Sequence, residues 1–135
     1  MRLAGVFVRF YKSFNFDYLR KYHKDSDPSP WENEEDSWYP YVRIPIEATV
    51  TTVVGANESG KSHLLSAIEK GMTGEGIARD DFCRYSQFLS LERGKMRYPD
   101  FGLQWSALSE DEQGIIRRAC KIQDRGFSIP TFLLF

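Results

Sequence analysis

A glycine-rich segment between two regular patterns constrains this chain more than any other feature. Residues 55–62 read GANESGKS. The segment follows the β-branched run Thr49–Val54, which is typical of a strand, and it precedes Ser62–Lys70, where apolar residues recur at helical spacing until Gly71. The sequence therefore predicts the order strand, loop, helix, which belongs to α/β folds.

The spacing inside this segment is that of a phosphate-binding loop, G-x-x-x-x-G-K-[ST]. Glycines at its two ends remove the Cβ where the backbone must turn most tightly, and the N–H groups of Glu58 through Ser62 are expected to face an anion at the start of the helix. Lys61 supplies a positive charge for phosphate oxygens, and the Ser62 hydroxyl has the right length to coordinate Mg²⁺. We therefore expect ATP and Mg²⁺ as ligands. The predicted loop residues are Gly55, Ala56, Asn57, Glu58, Ser59, Gly60, Lys61 and Ser62.

The bulk composition is that of one ordinary domain. The chain has 135 residues, of which 41% are hydrophobic, and its formal net charge of -1 gives no general electrostatic reason to expect nucleic acid or an anionic membrane as a partner. Cys83 and Cys120 lack metal-binding spacing, which favours reduced structural thiols over a disulfide or a metal site. Because no apolar run or leader pattern is present, we expect a cytoplasmic protein without a membrane partner.

Other patterns predict the remaining elements. An alternating pattern indicates a half-buried strand, and YVRIPIEA at 41–48 indicates a second one, with Pro45 favouring an edge position. Ser109 and Glu112 form a capping box before a helix. The elements predicted in this way are strands over Leu3–Phe10, Phe82–Tyr85, Phe101–Gln104 and the terminal IPTFLLF, and a helix over Glu110–Ile122.

An acidic segment over residues 21–40 is predicted to be an exposed loop. Six carboxylates lie between Asp25 and Asp36, together with two prolines and no basic residue. A Ca²⁺ site is the alternative, but the regular ligand spacing and the central glycine of a calcium loop are missing.

Two stretches resemble a known family. GANESGKSHLLSAIE resembles the N-terminal nucleotide-binding half of SMC, RecF and OLD-type ATPases, the ABC-like branch often described as AAA-family ATP-binding proteins. VFVRFYKSF is similar to the opening strand and the turn of that family, with Phe10, Lys12, Ser13 and Phe14 at the matching positions. The resemblance covers roughly the first 70 residues. It implies a P-loop NTPase fold in which a first strand and a small antiparallel sheet lead into the phosphate loop, within a mixed sheet.

The resemblance also implies additional site residues. Lys12 and Ser13 are assigned to the cofactor site, and His63 is placed beside the ligand because it follows Ser62 on the helix. Gln87 is the candidate for the family's Q-loop glutamine, which would contact Mg²⁺ and the attacking water; a polar surface residue is the alternative. DNA ends or a nuclease are implied as partners of the full assembly.

The sequence departs from the family where hydrolysis is concerned. It contains no LSGGQ-like signature and no apolar strand followed by Asp-Glu. We therefore expect the chain to be the front half of a longer ATPase, or a truncated product of one, which needs a C-terminal half and a second head for turnover. The alternatives are a small P-loop kinase or GTPase, and a non-catalytic interaction subunit with a degenerate nucleotide site.

Overall fold

A four-stranded sheet lies at the centre of the fold, as seen in a computed structural model that describes residues 1–15, 17–22, 27–34, 37–85, 97–122 and 128–135. The described strands and helices are, in chain order, β1 (Arg2–Arg9), α1 (Asp17–Tyr22), β2 (Asn33–Glu34), β3 (Ser37–Trp38), β4 (Val42–Pro45), α2 (Lys61–Thr73), β5 (Asp100–Ser106), α3 (Glu110–Ala119) and β6 (Thr131–Leu134). Two short 3₁₀ turns lie at Pro30–Glu32 and Arg79–Asp81.

The sheet has the order β4-β1-β5-β6, and β2 and β3 form a separate hairpin. The predicted first strand is confirmed, but it is buried on both faces: Val6 and Val8 are fully buried on one, and Phe7 is only 8% exposed on the other. The strand predicted around Pro45 is also confirmed, and it lies at the edge of the sheet. There the missing proline N–H costs no ladder hydrogen bond.

The mixed sheet is not observed among the described residues, because every pairing described there is antiparallel. The second strand predicted before the loop, Thr49–Val54, is also wrong. This segment lies outside every strand, and Val50 and Val54 are 70% and 87% exposed. High β-propensity produces a strand only where a neighbouring strand provides hydrogen bonds and packing, and no described segment pairs with this one.

Helix α2 packs on one face of the sheet, where its Ala67 joins the buried cluster around Val6 and Leu103. The helix continues past the predicted stop at Gly71 and ends at Thr73. It is capped by Gly74, whose φ is 69° and whose N–H donates to Lys70 O. Gly71 lies instead against β5, where an added Cβ would sit 3.4 Å from Phe101 Cβ. None of the described helices is both long and apolar enough to cross a lipid bilayer.

Most of the remaining predicted elements are observed. The predicted strand at Phe101–Gln104 is confirmed within β5, and the final apolar run forms β6. Helix α3 begins with the predicted Ser109 capping box, but it ends at Ala119 and not at the predicted Ile122. The predicted strand over Phe82–Tyr85 is wrong, since Phe82 forms only an isolated bridge with Tyr11. Residues 79–83 instead lie along the turn after β1, where Asp81 O accepts from Lys12 N and Phe10 O accepts from Cys83 N.

The acidic segment is not simply an exposed loop, because Glu32 is only 2% exposed. Its carboxylate accepts from Arg43 Nη2 at 2.8 Å, from Trp38 Nε1 at 3.3 Å and from the N–H groups of Ser29 and Tyr41. Burial by itself would raise the pKa of Glu32, but the hydrogen bonds, led by that of Arg43, hold it below its ordinary value. The prediction fails here because composition does not reveal a carboxylate that finds its partners through folding.

Candidate functional site

The predicted phosphate loop is an exposed, tightly curled segment between a stretch without regular secondary structure and helix α2. Ser59 N donates to Ala56 O at 3.3 Å, which closes a turn in which Glu58 takes a φ of 63°. Gly60 follows with a φ of 92°, and α2 begins at Lys61. Because residues 51–59 are exposed, the curl opens to solvent and not into the core.

Both glycines of the pattern stand where a side chain would interfere with the curl. A Cβ on Gly55 would lie 2.5 Å from Ser59 Oγ, so the serine would have to rotate away. At Gly60 the left-handed backbone disfavours any L side chain, and an added Cβ would also approach Ser13 Oγ at 3.2 Å. The observed curl of the loop therefore requires glycine, without a Cβ, at positions 55 and 60.

Main-chain donors line the start of α2. Leu64 N closes the first helical hydrogen bond, to Gly60 O at 3.0 Å. In the described part of the chain, the N–H groups of residues 60–63 donate to no protein acceptor. The N–H of Ser59 differs from the sequence expectation, since it serves the turn to Ala56. The remaining donors are those that a helix offers to an anion.

The Lys61 ammonium folds back over the loop. Its Nζ donates to Gly55 O at 2.7 Å and to Ala56 O at 2.5 Å. An ammonium has three N–H donors, so these two contacts hold the loop curled and leave a third donor for an anion. The positive charge thus lies beside the free N–H groups of the helix start.

The turn after β1 contributes to the same region. Ser13 Oγ and His63 Nδ1 share a hydrogen bond at 3.0 Å. Lys12, Ser13, Glu58 and His63 line a common pocket of about 340 Å³. The structure therefore brings the residues that the resemblance assigned to the cofactor site next to the loop, although they are about 50 positions apart in sequence.

Lys12 is held in place by a buried aspartate that sequence reasoning missed. Asp81 is 5% exposed, and it pairs with Lys12 Nζ at 3.2 Å and with Lys70 Nζ at 3.0 Å. Ala78 N also donates to it, at 2.8 Å. Burial would raise the pKa of Asp81, but the Ala78, Lys70 and Lys12 contacts outweigh burial and lower it. The sequence gives one local sign of this aspartate, which is that it lies three residues after Ala78 and can accept from its N–H. Many surface turns have the same spacing, so the sequence does not indicate that Asp81 is buried.

Comparisons with family models, with curated proteins and with solved structures gave no match. Within the described ranges, no cluster of three or more His, Cys, Asp or Glu side chains is placed to hold a metal ion. Ser62 remains the one predicted Mg²⁺ ligand that can be located, exposed in the first turn of α2, while Gln87 lies outside the described residues. The described donors of the loop are main-chain N–H groups and one ammonium, a combination that can bind an anion.

Proposed function

We propose that the loop from Gly55 to Ser62 binds the phosphate groups of ATP together with Mg²⁺. The observation that carries this proposal is the solvent-facing curl in which the N–H groups of residues 60–63 donate to no acceptor among the described residues, with the Lys61 ammonium bound to the same loop. A set of donors at a helix start, backed by a cation, suits an anion such as the phosphate chain of a nucleotide.

Each loop residue has a distinct part in this binding. The N–H groups donate to phosphate oxygens, and the third N–H of Lys61 reaches the terminal phosphates without breaking both loop contacts. The Ser62 hydroxyl would hold the Mg²⁺ that bridges the phosphates, and the bound ion would neutralise part of their charge.

The chain is proposed to be the ATP-binding module of an ATPase similar to the SMC, RecF and OLD types. In this proposal, hydrolysis requires signature and Walker B motifs from a further C-terminal half and from a partner head. Phosphoryl transfer depends on positioning and charge stabilisation, so a module without the signature and Walker B motifs should turn ATP over slowly. The proposal that the assembly has DNA or a nuclease as its partner is supported only by the resemblance.

Titration calorimetry with Mg-ATP tests the loop directly. Lys61→Ala removes a charge-assisted hydrogen bond, so we expect the Kd to rise by at least about tenfold. Ser62→Ala should weaken binding when Mg²⁺ is present and have little effect when EDTA replaces it, because the hydroxyl acts through the metal. Lys21→Ala, which removes an exposed lysine from α1, is the matched control for lost charge.

Two results would contradict the proposal. The first is an unchanged affinity in Lys61→Ala, which would place the ligand elsewhere. The second is an equal loss of affinity in Lys21→Ala, which would show that net charge and not loop geometry determines binding.

A further inference from the structure

The pocket beside the phosphate loop has walls of a different chemistry from the loop itself. Besides the loop residue Glu58, it is lined by Phe82, Arg84 and Tyr85 from the segment after α2. Tyr85 is 77% exposed, while Phe82 is buried and packs against Tyr98 with ring centroids 5.2 Å apart. The pocket is thus lined by one buried aromatic residue and by a second one that is accessible to a ligand.

Two side chains of the pocket, Ser13 and His63, also lie next to the loop. Ser13 Oγ lies 3.2 Å from where a Cβ on Gly60 would be, and His63 carries one of the free N–H groups while its ring bonds Ser13. A ligand whose phosphates lie on these N–H groups therefore has its other end at the mouth of the pocket. The pocket volume of about 340 Å³ falls in the range of small-molecule sites.

The charges of the pocket argue against a second phosphate site. Arg84 pairs with Asp80 at 3.4 Å, and Lys12 pairs with Asp81 at 3.2 Å. Glu58 and Asp80 add carboxylates to the wall, which repel phosphate but accept hydrogen bonds from hydroxyl and amino groups. An uncharged, flat group with such donors suits these walls better than an anion does.

We propose that this pocket receives the nucleoside half of the ligand and that the Tyr85 ring stacks on its base. The inference rests on the proposed function of the loop, and it adds which residues would receive the nucleoside half of the proposed ATP. Asn15 Nδ2 donates to Tyr85 O at 3.2 Å, which ties the tyrosine to the turn after β1. Stacking on an aromatic side chain tolerates any base, so Tyr85 supplies affinity more than base selectivity.

The test compares Mg-ATP with Mg-tripolyphosphate by titration calorimetry. Tyr85→Ala should raise the Kd for ATP by about tenfold, from the loss of one stacked ring, and leave the Kd for tripolyphosphate unchanged. Tyr85→Phe keeps the ring and should restore wild-type ATP affinity. Tyr22→Ala, which removes another exposed tyrosine from α1, is the control and should change neither Kd. Circular dichroism of each variant checks that it remains folded.

The outcomes separate this inference from the proposed function. If Lys61→Ala weakens both ligands but Tyr85→Ala affects neither, or affects both equally, the nucleoside assignment is wrong and the loop assignment stands. If neither ligand binds the wild-type chain, the loop assignment fails and the nucleoside assignment fails with it. Loss of ATP affinity in Tyr85→Phe would also overturn the stacking role.

Discussion

Replacing Asp81 with asparagine tests whether its buried carboxylate holds the site together. This side chain joins the turn after β1, through Lys12, to the C-terminal half of α2, through Lys70. Asparagine is not a simple substitute at this position, because its amide is uncharged, has one acceptor oxygen and presents its NH₂ donors to an ammonium. We therefore expect Asp81→Asn to leave both lysines without their counter-charge and to remove the residue-81 acceptor from at least one of them, while Lys70 keeps the Gly76 carbonyl as an acceptor.

The expected cost follows from the exposure of the three groups. Removing one partner of a buried ion pair costs about 3–5 kcal/mol. The Lys12 and Lys70 side chains are 26% and 16% exposed, so water compensates part of the loss. We expect Asp81→Asn to lower the free energy of unfolding by about 2 kcal/mol, which corresponds to a fall in Tm of roughly 6 °C for a domain of this size.

Urea unfolding at several pH values provides the assay. Asp81 has a lowered pKa, so its contribution is complete above the ordinary value of 3.8 and is lost as the pH falls through the folded value. The difference between wild type and Asp81→Asn should therefore shrink below that pH. Asp80→Asn is the matched control, since its side chain is 91% exposed and should cost less than about 0.5 kcal/mol. Equal losses in the two variants would refute the reasoning.

Two further substitutions test the fold. Gly71→Ala should raise the free energy of unfolding by about 0.5–1 kcal/mol, because it removes backbone entropy and meets Phe101 at ordinary contact distance; Gly74→Ala should lower it by about 1 kcal/mol at a left-handed cap. Thermal unfolding that shows the same sign for both would contradict the boundary of α2. In Glu32→Gln the free energy of unfolding should decrease less below pH 4.5 than in the wild-type chain, because only the wild type loses an ion pair with Arg43 as Glu32 is protonated. The same pH dependence of the free energy of unfolding in both chains, measured by urea unfolding, would contradict this.

Local patterns were sufficient wherever the deciding interactions are local. The capping box at Ser109 needs only residues three apart, and the first strand and β5 are fixed by their apolar residues. The glycine positions of the loop also follow from the sequence, because their backbone requirements do not depend on distant residues.

Sequence patterns gave wrong or missing predictions where the structure of a segment depends on residues far away in the chain. The β-branched run at 49–54 has strand propensity but no described strand beside it, and Glu32 and Asp81 are buried because Arg43, Lys12 and Lys70 come to them from other elements. Charge alone would place such carboxylates at the surface. Only the coordinates show which of them meet cations.

For the candidate site, the sequence by itself determined which residues form the tight curl that we propose as a phosphate site, since Gly55, Gly60, Lys61 and Ser62 lie within one short segment. Tertiary structure alone decided what stands next to that curl. The antiparallel pairing of β1 with β4 and β5 and the packing of α2 bring the Ser13 turn to His63, and the bonds along residues 79–83 bring Tyr85 to the same pocket. Contacts between residues so far apart depend on the whole sheet and helix forming together, so no local spacing encodes them.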